Sequence, residues 1–297
     1  MNADTETQRW LKQRIWPRLL HVSGKADGLA IMAFFILCCI LLLGVFSPWM
    51  PIPAPDLIAV HPRLAPPGLH GGLLGADNLG RDVLARVCQG IQNTFLVSTS
   101  AVLVTAFVGA LLGLVSGYVG GAADEVLTRL ADVIFSFPAV LLGLLVTAIL
   151  GPGGTSVILA IVLITLPPMI RVVRAATFEV VKADFVTAAR VFGASHWRIL
   201  LVHLLPNVML PILTQTAYSI SIGILIESAL SFLGLGVQPP AASLGSILRE
   251  GSAYITIAPW LVFGPGIFLV FAILSINLLG EGLRHAVDPL RPKNLEQ

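Results

Sequence analysis

Long apolar stretches constrain this chain more than any other feature of its sequence. Residues 28–50, GLAIMAFFILCCILLLGVFSPWM, contain no charged side chain. About 20 consecutive apolar residues are enough for an α-helix to cross the hydrocarbon core of a bilayer. Because backbone polar groups in lipid must be paired within the segment, such stretches predict membrane-spanning helices.

The overall composition supports the same class of protein. Of the 297 residues, 56% are hydrophobic and only 11% are charged, whereas soluble domains average about 45–50% apolar and about 25% charged residues. A net charge of +2 gives no indication of nucleic-acid binding. The three cysteines and six histidines show no metal-ligand spacing, so we expect them to serve in packing.

Six apolar stretches together predict an all-α polytopic membrane protein. The first is too long for the apolar core of a signal peptide and is followed by no A-x-A site, so it is expected to remain as a span. Pro167 and Pro168 predict that the fourth helix kinks or ends there. The predicted spans are Gly28–Met50, Thr94–Val119, Val133–Leu150, Thr155–Ile170, Val208–Leu235 and Pro259–Gly280.

Lysine and arginine set the predicted orientation, because these residues concentrate in cytoplasmic loops. With the N-terminus inside, 14 of the 18 basic residues fall in inner segments, so both termini are predicted to be cytoplasmic. The predicted organisation is a cytoplasmic segment 1–27, the first span 28–50, an outer (periplasmic) loop 51–93, a transmembrane domain 94–281 with a cytoplasmic loop 171–205, and a cytoplasmic tail 282–297.

The cytoplasmic loop Arg171–Leu205 has a helical pattern on both sides of Gly193. Apolar residues recur at i, i+3, i+4 and i+7 before and after this glycine, which predicts two short amphipathic helices with a bend between them. One interpretation is a pair of helices that lie on the membrane surface. The other is a docking element for a cytoplasmic protein, which the small pair Ala188–Ala189 favours. The predicted stripes are Phe185, Ala188, Ala189 and Phe192, then Trp197, Leu200, Leu201 and Leu204.

The stretch TAARVFGASHWRILLVHLLP, residues 187–206, resembles the "EAA" motif of ABC-importer permeases. That motif reads E-A-A, three residues, G, nine residues, I-x-L-P. Two positions depart from it, since Thr187 stands in place of Glu and His203 in place of Ile. The matching residues are Ala188, Ala189, Gly193, Leu205 and Pro206.

Other stretches are similar to the dipeptide/oligopeptide/nickel subfamily of these permeases. LLGADNLGRDVLARVCQG (73–90) resembles a segment that precedes the second span of the family, with Ala76 and Ala85 in place of Thr and Ser. ALSFLGLGVQPP (229–240) and NLLGEGLRHAVDP (277–289) resemble further family signatures, so the likeness covers almost the whole chain. The matching positions in the first segment are Gly75, Asp77, Gly80, Arg81, Asp82 and Arg86.

The resemblance implies the transmembrane domain of a type I ABC importer. Such a subunit pairs with a second homologous permease, often a different chain, and two cytoplasmic ATPases dock on the EAA loops. A substrate-binding protein outside the membrane delivers the cargo. Independently, the sequence contains no G-x-x-x-x-G-K-[ST] phosphate-binding loop. We therefore expect no catalytic residue, metal or cofactor in this chain, with ATP and Mg bound by the partner ATPases in the inner membrane assembly.

Glu227 is the acidic residue that lies inside a predicted span. Such a residue at the bilayer centre costs about 2.5–3.5 kcal/mol and faces a cavity or a partner group. One interpretation is that it lines the pathway and meets a cationic group of the substrate. The alternatives are a hydrogen bond to a neighbouring helix or a position near the outer interface.

The outer segment GADNLGRD, residues 75–82, also has a simpler interpretation. Asp77, Asn78 and Gly80 predict a turn, and Asp82 predicts the cap of a following helix. The spacing does not fit an EF-hand, so we favour a turn and cap over an ion site. Contact of this outer segment with the substrate-binding protein is a further interpretation.

The leading hypothesis for function is a permease subunit for di- or oligopeptides, with a nickel or metal-chelate permease as the alternative within the family. A stand-alone secondary carrier would need ionisable groups on several helices and an inverted repeat. An intramembrane enzyme would need a nucleophile and base, or metal ligands, at one depth. The sequence shows neither pattern.

Overall fold

The computed structural model describes residues 26–68 and 70–287, and these form a helical protein. Most of the predicted cytoplasmic segment 1–27 and the end of the tail 282–297 lie outside the described residues. A 3₁₀ turn, Ser47–Trp49, follows the first helix, and a helical turn His196–Arg198 and a π-helix Ile199–Leu204 lead into the seventh. The helices are α1 Ala26–Phe46, α2 Val83–Val119, α3 Gly121–Phe135, α4 Ala139–Leu150, α5 Gly154–Val180, α6 Asp184–Val191, α7 Leu205–Phe232, α8 Leu244–Ser252 and α9 Trp260–Val287.

The predicted all-α polytopic architecture is confirmed. Five described helices are long and apolar enough to cross a membrane, and the bent pair α3–α4 makes a sixth if it counts as one span. The third predicted span, Val133–Leu150, is wrong as a continuous helix. The chain bends by 88° between α3 and α4, because Pro138 provides no N–H and disfavours helical geometry at the residue before it.

The fourth predicted span, Thr155–Ile170, is part of a longer helix. Helix α5 continues through Pro167 and Pro168 as far as Val180. The reason is its close packing on α2: a Cβ atom placed on Gly113 would lie 2.7 Å from Val173 Cβ, and one on Gly117 would lie 2.7 Å from Thr177 Cβ. Small residues at this spacing let two helix backbones approach closely, which holds α5 across its prolines. The predicted cytoplasmic loop 171–205 therefore starts with the last turns of α5.

Other helix ends extend beyond their predicted bounds. Helix α2 begins at Val83 instead of Thr94, so the last part of the predicted outer loop is helical. The carboxylate of Asp82 accepts a hydrogen bond of 2.9 Å from the N–H of Ala85 and caps this helix. Helix α9 continues to Val287, beyond the predicted Gly280.

The helices pack as a bundle with one short helix at its outer end. Helices α2 and α5 form its centre, α7 packs against both, and α9 lies between α7 and α1. The short α8 packs against α2, α7 and α9. The loop between α5 and α7 lies at the opposite, cytoplasmic end. This arrangement separates an outer polar region from an inner loop region.

Candidate functional site

The first candidate site is the coupling segment, which we define as Asp184–Leu204 between α5 and α7. Helix α6 ends where Ala194 N–H donates to Ala189 O at 3.0 Å and Gly193 N–H donates to Arg190 O at 3.0 Å. These two bonds form a Schellman motif, with Gly193 in the left-handed region at φ 76°. A side chain is strained at this φ, which explains the glycine. The predicted bend between two short helical pieces is confirmed.

One face of the coupling segment anchors it to the bundle. Val186, Ile199 and Leu204 are almost completely buried, and they pack with apolar residues of α2, α5 and α7. The π-helix Ile199–Leu204 leads without a break into α7, whose first residues are Leu205 and Pro206. The coupling segment is therefore connected directly to a helix long enough to span the membrane.

The opposite face of the coupling segment is apolar and exposed. The exposed fractions of Val191, Phe192 and Trp197 are 80%, 89% and 70%. The predicted stripe containing Phe185, Ala188, Ala189 and Phe192 is therefore not the face that packs on the bundle, because Val186 takes that role. Thr187 and Ala188 are exposed and Ala189 is half-buried, so the backbone of α6 is open to close approach.

Tyr118 connects the coupling segment to α2, a role that the sequence patterns missed. Its hydroxyl lies 2.7 Å from Nδ1 of His196, and the guanidinium of Arg190 lies 5.1 Å from the centre of its ring. These distances correspond to a hydrogen bond and a cation–π contact. The sequence did offer one signal for this role, because Tyr118 is an aromatic residue at the cytoplasmic end of a predicted span, just before Gly120 and Gly121.

The second candidate site is the outer turn that precedes α2. The carboxylate of Asp77 accepts hydrogen bonds from the N–H groups of Leu79 and Arg81 at 2.8 and 2.9 Å. Gly80 has φ 73°, and His61 Nε2 lies 3.2 Å from Asp82 Oδ2. The predicted turn and helix cap are confirmed.

Behind this turn lies the outer polar cluster, which consists of Asp77, Arg81, Arg86 and Glu250. Arg86 Nη1 is 2.9 Å from Asp77 Oδ2 and 2.6 Å from Glu250 Oε2. Arg81 bridges the same two carboxylates at 2.5 and 2.8 Å. The cluster joins the turn before α2 to α8, and nothing in the local sequence pattern pointed to Glu250.

Electrostatics within the outer polar cluster favour the ionised form of Asp77. Burial alone would raise the pKa of this carboxyl. The hydrogen bonds and positive charge of Arg81, with the N–H of Leu79, outweigh burial and hold the pKa of Asp77 below its ordinary value. Asp77 is therefore an ion-paired structural group.

Glu227 is completely buried in α7. Its carboxylate accepts a hydrogen bond of 2.7 Å from the hydroxyl of Ser231, and Ser228 Oγ lies 3.4 Å away. Thr94 of α2 and Ser243, the N-cap of α8, are its other polar neighbours. The carboxyl thus ties α7 to α2 and α8, while its predicted role in the pathway stays a prediction. Among the described residues, no three His, Cys, Asp or Glu side chains form a group that could hold a metal ion.

The described helices form a bundle typical of a polytopic membrane protein, and comparison with known proteins shows its family. The sequence model of the family described as "Binding-protein-dependent transport system inner membrane component" matches residues 109–291. This is more than half of the chain, so the chain belongs to that family.

Several curated relatives are similar along most of their length. The di/tripeptide transport system permease protein DppC of Pseudomonas aeruginosa is 38% identical, covering 93% of this chain and 91% of the relative. The probable D,D-dipeptide permease DdpC of Escherichia coli is 34% identical, covering 89% of each. The glutathione permease GsiD of Pectobacterium atrosepticum is 38% identical, covering 73% and 72%.

A solved structure supports the fold. A chain of the MetNI methionine ABC transporter matches with a TM-score of 0.52 at 20% identity, covering 68% of this chain and 97% of that one. The fold is thus that of a type I ABC-importer transmembrane domain. Our chain is a multi-pass inner-membrane permease subunit of an ABC importer, within the dipeptide/oligopeptide/nickel permease family, and it is not an enzyme.

Proposed function

We propose that this chain forms part of the translocation pathway for di- or oligopeptides and is driven through its coupling segment. In this proposal a second permease subunit completes the pathway, two cytoplasmic ATPases dock on the coupling segments, and a binding protein delivers peptide from outside. The observation that carries the docking role is the exposed apolar face of Val191, Phe192 and Trp197.

An exposed apolar patch beside a buried anchor supports docking of another protein. Large contiguous apolar surface on a folded protein is typical of interaction sites. The small residues Ala188 and Ala189 leave room for a partner helix or groove to approach the backbone of α6. Membrane contact by Trp197 is the competing interpretation, and the experiment below separates the two.

Two connections from the coupling segment support transmission of movement. One is the continuous helical path through Leu204 into α7, and the other is the contact of Tyr118 with Arg190 and His196. Displacement of the segment by an ATPase would thus pull on α7 and α2 together. Rigid elements that move as bodies are the usual means of alternating access.

Peptides are the proposed cargo because the relatives are named for them. The relatives from Pseudomonas aeruginosa and Escherichia coli are named for di- and tripeptides and for D,D-dipeptides. The glutathione permease of Pectobacterium atrosepticum is named for a peptide-like compound. A nickel or metal-chelate cargo is the alternative, and the ligand-identification experiment below distinguishes it from a peptide.

The docking role is tested by placing bulk and charge on the small face of α6 and at the glycine bend that follows it. In the complete importer reconstituted with its ATPases, second permease and binding protein, Ala189→Arg and Gly193→Arg should abolish substrate-stimulated ATP hydrolysis. Arg129→Ala is the control, because Arg129 is 76% exposed on α3 and lies outside the segment. Unchanged stimulation in the Ala189 and Gly193 variants would show that the segment does not dock the ATPases.

The cargo is tested by isolating the importer with its binding protein and identifying the bound ligand by mass spectrometry. A peptide is the expected ligand. A metal chelate would replace the peptide proposal with the nickel alternative, while leaving the docking role untouched.

For Glu227, the proposed pathway role predicts that Glu227→Gln slows uptake of cationic peptides more than neutral ones. Assembly of the complex should be retained, because Gln preserves the acceptor for Ser231. Equal uptake of both peptide classes would leave Glu227 with its structural hydrogen bonds alone.

A further inference from the structure

Helix α3, Gly121–Phe135, lies at the cytoplasmic end of the bundle between two breaks in the chain. Gly120 and Gly121 separate it from α2, and both are in the left-handed region, at φ 66° and 59°. A bend of 88° before Pro138 separates it from α4. The direction of α3 is therefore not set by either neighbouring helix along the chain.

Two ion pairs hold α3 against α5. Asp124 Oδ2 lies 2.6 Å from Arg174 Nη2, and Asp132 Oδ1 lies 2.6 Å from Arg171 Nη2. The two aspartates are separated by about 12 Å along α3, whereas their two arginine partners are separated by only about 5 Å along α5. Helices that ran side by side would have similar separations, so α3 crosses α5 at a steep angle.

The charge pattern of α5 sets the depth of α3 in the membrane. Residues 154–170 of α5 contain no charged side chain and extend for about 25 Å, close to the hydrocarbon thickness of about 30 Å. Arg171 is the first charge after this stretch. It marks the cytoplasmic boundary of the hydrocarbon, because charges at greater depth are costly. Since Asp132 pairs with Arg171, α3 lies at this boundary.

The length of α4 agrees with this depth. Its 12 residues, Ala139–Leu150, cover about 18 Å. The distance that remains to the boundary is about 7 Å, which the short connection 136–138 can cover at about 3.3 Å per residue. The crossing is thus completed without α3 having to enter the hydrocarbon lengthwise.

Opposite sides of α3 carry different side chains. Asp124 and the buried Ala131 lie on the side toward α5. On the opposite side, Val126, Leu130 and Val133 recur at i, i+4 and i+7, and each is more than half exposed. We call these three residues the α3 stripe. The ion pairs therefore turn an apolar surface away from the bundle.

The two flanks of the α3 stripe also differ. Glu125, Arg129 and Asp132 recur along one flank, about 100° around the helix from the stripe, and all three are exposed. The other flank carries Leu127 and Ile134, which are half-buried. A helix with one charged flank and a broad apolar surface, lying across the spans, is typical of a helix at the membrane boundary.

Charge balance indicates which part of the lipid α3 contacts. Its charged residues and their partners on α5 comprise three acids and three bases, so they supply no net positive charge to attract anionic headgroups. The contact then depends on burial of apolar side chains among acyl chains. These residues are Asp124, Glu125, Asp132, Arg129, Arg171 and Arg174.

We propose that α3 is an interfacial helix of the cytoplasmic leaflet. The α3 stripe lies among lipid acyl chains, and the flank that contains Arg129 faces the cytoplasm. The partner of this surface is lipid, irrespective of headgroup charge. The proposal goes beyond the proposed function, because it depends neither on the peptide cargo nor on docking of the coupling segment.

Spin-label accessibility tests the environment of the α3 stripe. In the intact reconstituted importer, Cys38, Cys39 and Cys88 are replaced by Ala, and cysteines of the partner subunits are likewise replaced. A nitroxide on Leu130→Cys should collide more often with oxygen, which concentrates in lipid, than with water-soluble chromium oxalate. Arg129→Cys is the matched control, because Arg129 is the adjacent residue and is also exposed; its nitroxide should show the reverse preference.

Two outcomes of this measurement would overturn the proposal. Equal access of chromium oxalate to the labels at Leu130 and Arg129 would show that the stripe faces water. Low access of both reagents to the label at Leu130 would show that another protein covers the stripe.

Photocrosslinking identifies the molecule next to the stripe. Benzoylphenylalanine in place of Leu130 should give phospholipid adducts, detected by mass spectrometry of the isolated subunit. A crosslink to the second permease or to an ATPase instead would assign the stripe to a subunit interface and overturn the lipid proposal, while the proposed transport function would stand.

Lipid composition separates acyl chains from headgroups as the source of the contact. The preference of the Leu130→Cys label for oxygen should be the same in phosphatidylcholine membranes and in membranes that also contain phosphatidylglycerol. A preference for oxygen that appears only with the anionic lipid would contradict a contact made by acyl chains.

Discussion

The two ends of this subunit are built in opposite ways. At the outer end, the charged side chains of Asp77, Arg81 and Arg86 are at least 90% buried and are ion-paired. At the cytoplasmic end, Phe192 and Trp197 are mostly exposed although they are apolar. The outer end pairs these buried charges within the chain, whereas the inner end leaves large apolar side chains exposed.

This contrast supports the proposal that the inner end docks a partner. Buried ion pairs favour one arrangement of the side chains that form them. Removing one charge is strongly destabilising, because its partner is left buried and uncompensated. Exposed apolar side chains contribute little to the stability of the isolated subunit and become buried only on docking. Substitutions at the outer end should therefore affect folding, and those at the inner end should affect assembly and coupling.

The largest expected effect follows from Arg86→Ala in the outer polar cluster. Loss of the buried guanidinium leaves Asp77 and Glu250 with Arg81 as their remaining shared partner. We expect the free energy of unfolding to fall by about 3 kcal/mol, the lower end of the range for a broken buried ion pair. Thermal unfolding of the purified complex in detergent measures this loss. Arg86→Lys should have an intermediate effect, since it keeps the charge but not the two-pronged contact.

Arg129→Ala is the matched control for this substitution. Its ion pair with Glu125 spans 3.9 Å and both side chains are more than 70% exposed, so little change in stability is expected. Equal unfolding temperatures for the Arg86→Ala and Arg129→Ala variants would contradict the structural role of the outer polar cluster.

Acid should weaken the outer end selectively. The pKa of Asp77 is lowered in the folded state, so its contribution is fully present above the unfolded value of about 3.9. That contribution is lost as the pH falls from there through the folded-state pKa. Unfolding followed between neutral pH and acid should show this loss, and Asp77→Asn, already less stable at neutral pH, should lack this part of the acid response. Identical unfolding profiles in acid for the unsubstituted protein and for Asp77→Asn would show that Asp77 does not cause the loss of stability.

The smallest effect on stability is expected at the inner end. Phe192→Asp should change the free energy of unfolding by no more than about 0.5 kcal/mol, because the side chain is 89% exposed. Copurification of the ATPase subunits should nevertheless be lost. Leu200→Asp, at a site only 8% exposed on the same segment, should destabilise the fold instead. If Phe192→Asp keeps its ATPases, this face is not the docking surface.

Local patterns in the sequence predicted much of the fold and part of the candidate sites. Apolar length predicted the spanning helices, and the glycine between two apolar periodicities predicted the bend at Gly193. Asp82 was predicted as a helix cap because capping depends on neighbouring residues alone. These features share one property: the interacting groups lie within a few residues of one another.

Contacts between distant parts of the chain were not predictable in this way. The pairing of Arg86 with Glu250 joins residues separated by 164 positions. The persistence of α5 through Pro167 and Pro168 depends on the small residues Gly113 and Gly117 of another helix. The face of α6 that packs inward was not predicted either, because the bundle and not the periodicity selects Val186.

The sequence by itself determined that this protein is a helical membrane subunit, which way it is oriented, and where its cytoplasmic bend lies. Apolar length, charge bias and the conformational freedom of glycine are properties of short segments. Only the tertiary structure decided which charges are paired and that Glu227 is buried where α7 meets α2 and α8. Those outcomes depend on helices meeting in space, and the packing of one helix on another overrides the preferences of either alone.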